Sequence, residues 1–193
     1  MEQKFFMANL RRYGLLTEEH IEALRALCQE VMVKKGEVIL DIGEVPRYYY
    51  YVEKGLFSYY YLTEKGEHII KNFFPEDTFI ASLSALLYQK PTLFAIQALE
   101  DSLIYKIAWD RFRELMVQQH DVALFYITYL EEHWVKAKEI AEITSKFDTA
   151  EIRYRDFIAT YPHLAQRLKQ HHIASYLGVT PTQLSRIHKQ QKK

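Results

Sequence analysis

His172-Ile173-Ala174-Ser175-Tyr176-Leu177-Gly178-Val179-Thr180-Pro181-Thr182-Gln183-Leu184-Ser185-Arg186-Ile187 is the stretch that decides how this 193-residue chain is read. It scans as a short helix, a three-residue turn at a glycine, and a second helix opened by a Thr-Pro start. Ala174 is small where two helices must nearly touch, and Gly178 stands where a left-handed residue is needed. Ile173, Leu177, Val179, Leu184 and Ile187 supply an apolar seam. Thr180 suits the N-cap, and Pro181 the first helical position, where no backbone N–H is required. This is the pattern of a helix-turn-helix, which lays its second helix in the major groove of double-stranded DNA.

Base-reading side chains belong on the exposed face of that second helix, near its start. Thr182, Gln183 and Arg186 fall there, because Leu184 and Ile187 turn inward. Arg186 can bond guanine O6 and N7 together, and Gln183 can pair with adenine N6 and N7. Thr180, Ser185 and Lys189 are better placed for phosphates.

Charge is segregated to match. The chain is neutral, with 25 basic and 25 acidic residues, yet the segment 166–193 holds six Lys/Arg (Arg167, Lys169, Arg186, Lys189, Lys192, Lys193) and no Asp or Glu. The preceding residues therefore hold 19 basic against 25 acidic groups. A basic tail on an acidic body is the electrostatic pattern of a nucleic-acid module attached to something else.

Upstream, 4–30 reads as helical, with Thr17-Glu18-Glu19-His20 as a capping box and Ile21, Leu24, Leu27 and Cys28 on one face. Cys28, the single cysteine, reads as a packed residue and excludes an intrachain disulfide or a cysteine-ligated cluster. From Val31 the period changes to short strands between turns at Gly36, Gly43, Gly55 and Gly66, the pattern of a β-sandwich or barrel. The tyrosines at Tyr48–Tyr51 and Tyr59–Tyr61 read as cross-strand packing with surface hydroxyls, the alternative being a pocket lining.

Helix is expected to resume at Trp109 and run unbroken to about 146, a rod of about 55 Å. Ala123, Ile127, Leu130, Trp134, Ala137, Ala141 and Thr144 recur on it at spacings of four and three. Such a heptad seam calls for a second copy, hence a homodimer, although the stripe could instead pack on its own β-domain. A further helix should start at Asp148, with Glu151 as box partner, and break near Tyr161-Pro162. No apolar run is long enough for a membrane span or a secretory signal, so a cytoplasmic protein is expected.

The order of these parts resembles the CRP/FNR family of bacterial transcription regulators. The residues carrying the resemblance are Ile173–Thr180 with Leu184–Ile187, then Val33-Lys34-Lys35-Gly36-Glu37, Tyr51-Val52-Glu53-Lys54-Gly55 and Ala98-Leu99-Glu100-Asp101-Ser102. The resemblance implies an α+β protein with an N-terminal β jelly-roll of cyclic-nucleotide-binding type in 1–109, a dimerisation helix in 110–146 and a winged-helix-like DNA domain in 147–193. It implies regulation of transcription rather than catalysis, with RNA polymerase and a small-molecule effector as further partners. Few residues follow the second helix, so little chain is expected for a complete wing.

The chain departs from the family at the ligand. Family members that bind a cyclic nucleotide carry a Gly-Glu pair and an Arg followed by Ser or Thr around the ribose and phosphate. Here those places hold Ala81 and Ser82, and Thr92 and Leu93. A buried phosphate needs a cation or several donors, so usual cyclic AMP binding is not expected, and Phe79, Ser82 and Thr92 remain as an effector pocket of unknown occupant. The family commonly has Arg and Glu where Pro181 and Thr182 stand, which puts its best-known operator in doubt, while Arg186 matches a base-reading arginine. No metal site or cofactor is expected: the eight histidines are scattered and no His-x-His spacing occurs. The competing reading is a protein-interaction module, or a ligand-binding jelly roll with a degenerate helix-turn-helix.

Overall fold

The computed structural model describes residues 4–135, 138 and 148–191. Two helices open the chain, α1 (Lys4–Arg12) and α2 (Glu18–Ala26). Thr17 caps α2 as its sequence indicates, its Oγ1 accepting the His20 N–H at 3.3 Å. The helical expectation for 4–30 is too generous. Gly14 turns the chain at φ +63°, and a strand already begins at Cys28. The Cys28 thiol donates to the Leu24 carbonyl at 3.2 Å, and burial pushes its pKa up to about 12.

Eight strands follow: β1 (Cys28–Val33), β2 (Val38–Leu40), β3 (Tyr48–Lys54), β4 (Phe57–Leu62), β5 (His68–Phe74), β6 (Phe79–Ile80), β7 (Ala95–Ala98) and β8 (Ser102–Ala108), with α3 (Leu83–Tyr88) between β6 and β7. They form two antiparallel four-stranded sheets, β1-β8-β3-β6 and β2-β7-β4-β5. Val33, Val52, Phe57, Ile80, Ile96 and Ile104 fill the space between them.

Part of each outer face is buried as well, and this accounts for the outward-pointing tyrosines of β3. Along β3, Tyr50 and Val52 point into the sandwich, whereas Tyr49 and Tyr51 point outward into a second cluster with Phe6, Phe112, Phe125 and Tyr129. Tyr49, Tyr50, Tyr51, Tyr59 and Tyr60 are therefore buried, contrary to expectation, while Tyr61 is 41% exposed. Tyr51 donates to Asp77 Oδ1 at 2.6 Å, and Tyr50 to the Ile39 carbonyl at 3.3 Å. Asp77, held at φ +64°, also receives Asn9 Nδ2 and Arg12 Nη1, and so ties α1 to the sheet.

The helix expected to run unbroken from Trp109 is interrupted. α4 (Trp109–Gln118) ends where Gln119 turns extended (φ −123°, ψ 109°), and α5 (His120–Leu130) begins at the next residue. Each segment can then lay its own apolar face on the outer side of the first sheet: Trp109 and Phe112 from α4, and Val122, Phe125, Tyr126 and Tyr129 from α5. Glu131–Val135 continues as a π-helical turn.

The C-terminal unit comprises α6 (Ala150–Thr160), α7 (Pro162–Arg167), α8 (Gln170–Leu177) and α9 (Pro181–Gln191). α6 starts later than expected, since Thr149 rather than Asp148 is the cap, accepting the Ile152 N–H. Among the described residues no strand follows β8, so no wing is seen. The unit packs on the outer face of the second sheet. One cluster joins Leu56, Tyr60, Ile70 and Phe73 to Tyr154, Phe157, Ile173, Leu177, Leu184 and Ile187. No described helix is long and apolar enough to cross a membrane.

Candidate nucleic-acid interface

The local chemistry of the α8–α9 pair follows its sequence closely. Gly178 closes α8 at φ +67° and ψ 32°, a conformation that costs glycine nothing. Its N–H bonds the Ser175 carbonyl at 3.2 Å, and Val179 N–H reaches back to Ala174 at 3.0 Å. At the head of α9 the cap is reciprocal. Gln183 N–H donates to Thr180 Oγ1 at 3.2 Å, and Gln183 Oε1 accepts the Thr180 N–H at 2.9 Å. Leu184 and Ile187 are buried, and Tyr154 OH lies 2.7 Å from His188 Nδ1, so α9 is anchored on α6 as well as α8.

The opposite face of α9 is free. Thr182, Gln183, Ser185, Arg186 and Lys189 on α9, and Thr180 at its cap, are all exposed. Arg186 has no ion-pair partner among the described residues. Gln183 is less free than its exposure suggests, because its carboxamide oxygen is committed to the cap and only the amide nitrogen is left to reach outward. Of the basic residues in 166–193, Arg167 is engaged elsewhere, with Glu76 and Glu100.

The three pocket residues do not come together. Ser82 and Thr92 do: Thr92 Oγ1 donates to Ser82 Oγ at 2.8 Å, and Tyr59 OH lies 2.9 Å from the same oxygen. Thr92 Oγ1 also receives the Phe94 N–H at 3.0 Å. This network is buried and carries no cation. Phe79 faces the other way, stacked on Tyr49 at 4.9 Å in the outer cluster. Ser82 also lines a shallow opening of about 180 Å³, together with Ser84, Tyr88, Lys90, Leu93 and Phe94, with Leu93 72% exposed.

On α5 the buried stripe is Val122, Phe125, Tyr126 and Tyr129, which leaves the seam read from the sequence on the helix flank. Ala123 is half-buried and Ile127 is 50% exposed, while Leu130 and Trp134 pack partly against the chain's own outer cluster. Ala137 and Ala141 lie outside the described residues. Leu124 and Val135 are further exposed apolar groups on this element.

Two interleaved sheets, a short helix between β6 and β7, and helices before and after them make a recognisable frame. Residues 30–119 match the family model of the cyclic nucleotide-binding domain. No curated protein sequence matches the chain. Among solved structures, FixK2 from Bradyrhizobium japonicum superposes with a TM-score of 0.73 at 20% identity, covering 84% of this chain and 83% of that one. A CooA variant from Carboxydothermus hydrogenoformans gives 0.72 at 18% identity, with 93% and 82% covered. The sensor domain of the transcriptional regulator DNR from Pseudomonas aeruginosa gives 0.58 at 18% identity, with 76% and 96% covered. At these identities the likeness is one of fold. It reaches past residues 30–119, because 93% coverage has to include most of α6–α9.

Sequence reading missed the groups that join the C-terminal unit to the β-domain: Ser175, Arg167, Glu76 and Glu100. Nothing local marks them. Arg167 sits 67 residues from Glu100 and 91 from Glu76.

Proposed function

We propose that this chain is a homodimeric, sequence-specific DNA-binding transcription regulator of the CRP/FNR type. The observation that carries the reading is the free outer face of α9, on which Thr182, Gln183 and Arg186 project beside the buried Leu184 and Ile187. Arg186 reads guanine, the Gln183 amide nitrogen supplies a further base contact, and Thr180, Ser185 and Lys189 hold phosphates. The transcriptional regulator DNR and the FixK2 fold give the assignment its family context. The division proposed is 1–109, 110–146 and 147–193, with α4 and α5 of the middle segment packed on the first sheet. The copies meet through Ala123, Ile127, Leu130, Trp134, Ala137 and Ala141, and two reading helices then face half-sites about one helical turn apart.

The β-domain is taken to act without cyclic AMP bound in the usual way, since Ser82 and Thr92 hydrogen-bond each other in a buried network and the places of the family's arginine pair hold the uncharged Thr92 and Leu93. Selection of duplexes from a random DNA pool tests the function directly. Arg186→Ala should then cost about 1–3 kcal/mol on the selected duplex and relax preference at one base pair per half-site. Equal losses on selected and random DNA would remove Arg186 from the base-reading role.

A further inference from the structure

Arg167, the last residue of α7, sends five hydrogen bonds into the β-domain. Nη1 donates to Glu76 Oε2 at 2.8 Å and Nη2 to Glu76 Oε1 at 2.9 Å. Nε donates to Glu100 Oε1 at 3.1 Å and Nη2 to Glu100 Oε2 at 2.7 Å. Nη2 also reaches the Gly55 carbonyl at 3.2 Å. Each carboxylate is met by a two-pronged pair, in which a planar guanidinium sets orientation as well as attraction. The acceptors come from three separate connections: β3–β4, β5–β6 and β7–β8. Glu76 is itself steadied by the Gly55 N–H at 2.9 Å.

A second fixing point lies on the next helix. Ser175 Oγ donates to the His68 carbonyl at 2.6 Å and accepts the Ile70 N–H at 2.9 Å. β5 is an edge strand, so this hydroxyl stands in for the strand partner that β5 lacks. Between the two points Phe73 packs on Tyr176 and Phe157. A body held at two separate polar anchors over an apolar contact cannot pivot without breaking one of them. α9 follows α8 rigidly through the Gly178 turn, so the anchors also set the direction of α9.

The guanidinium carries one positive charge against two carboxylates. The cluster is therefore net negative and unsuited to a phosphate, although Arg167 belongs to the basic segment of the sequence. Burial pushes the Glu76 carboxyl pKa upward, but the hydrogen bonds from Arg167 and the backbone more than offset this and hold it below its ordinary value.

We propose that Arg167 is a positioning residue for DNA reading: by clasping Glu76 and Glu100 it fixes how α9 is presented from the β-domain, and thereby which half-site spacing the homodimer accepts. The proposal rests on the DNA-reading assignment above. With both reading helices rigidly mounted on a two-fold dimer, their separation is a constant, and a duplex with displaced half-sites engages only one of them. With the clasp open, each unit pivots on its apolar contact. The second half-site is then reached over a range of spacings, at lower effective concentration.

The test uses a full-length protein and a duplex selected from a random pool, together with derivatives carrying one, two or three extra base pairs between the half-sites and a duplex with a single half-site. Wild-type protein should lose roughly tenfold or more on the displaced duplexes. Arg167→Gln should bind the parent duplex several-fold more weakly, discriminate among spacings by no more than about threefold, and bind the single half-site like wild type. Glu76→Gln combined with Glu100→Gln opens the clasp from the β-domain side and should give the same profile, which guards against misfolding of either variant. Uniform weakening on every duplex with a shallower salt dependence would make Arg167 a phosphate contact and overturn the proposal, as would unchanged spacing preference or tighter binding. A wild-type protein that selects no duplex at all would instead remove the DNA-reading assignment itself.

Discussion

Thr180 and Gln183 cap one another: the Gln183 N–H donates to the Thr180 hydroxyl at 3.2 Å while the Gln183 side-chain oxygen accepts the Thr180 N–H at 2.9 Å. The first turn of α9 is thereby ordered before anything binds to it, and the Gln183 amide nitrogen is left pointing outward. Gln183 thus has two separable jobs. Gln183→Glu keeps the acceptor that the cap needs but removes the donor and adds a negative charge. It should melt within about 1 kcal/mol of wild type yet lose binding to selected duplexes. Thr180→Ala should do the reverse in part, costing about 0.5–2 kcal/mol of stability in a thermal melt.

Calorimetric titration with cyclic AMP is expected to show no binding at micromolar ligand. The phosphate would have to displace a buried network in which Thr92, Ser82 and Tyr59 hydrogen-bond one another, and none of the three carries a charge to compensate the incoming one. Saturable heat in that range would contradict this account of the pocket.

Gly55 is the glycine whose replacement should be felt most. Its φ is +111°, and a Cβ there would lie 2.8 Å from the Ser102 Cα and press on the Ser102 side chain. Gly55→Ala should destabilise by roughly 2–4 kcal/mol, from backbone strain and overpacking together. Adding Ser102→Gly should recover only part of the loss, because the contact with the residue 102 Cα and the strain at positive φ both remain. Denaturant midpoints of wild type and both variants check this.

His172 makes stability depend on pH. Burial, with the positive field of His171, Lys169, Lys35 and His68, lowers its pKa to about 4, and its Nδ1 is buried without a hydrogen-bond partner. The unfolded chain therefore binds a proton that the folded one refuses. The stability is fully present above the unfolded value of about 6.5 and is lost as pH falls towards 4. His172→Gln should flatten the melting temperature against pH over that interval. An unchanged slope would place the proton elsewhere.

What could be read along the chain was whatever a few neighbouring residues determine. The α8–α9 pair is encoded by a glycine at positive φ, a proline that needs no N–H, and a threonine cap, all within a short span. The β-domain announced itself through Gly36, Gly43, Gly55 and Gly66, each at positive φ in a turn. The exposed set on α9 followed from the same periodicity, since burying Leu184 and Ile187 leaves only one face for Thr182, Gln183 and Arg186.

The break at Gln119 has no such signature: neither Gly nor Pro is present, and it exists because α4 and α5 bury different faces on one sheet. Tyr49 and Tyr51 are buried because helices cover the outer face of their sheet, which strand alternation cannot report. The clasp is the extreme case. Arg167 looks like any basic residue of a basic tail, and only the path of the chain brings it to Gly55, 112 residues away, with Glu76 and Glu100 beside it. Backbone preference acts over one turn of chain, so neighbouring residues suffice to specify α9; the pairing of charges depends on where distant loops converge, so how α9 is held emerges only once the chain is folded.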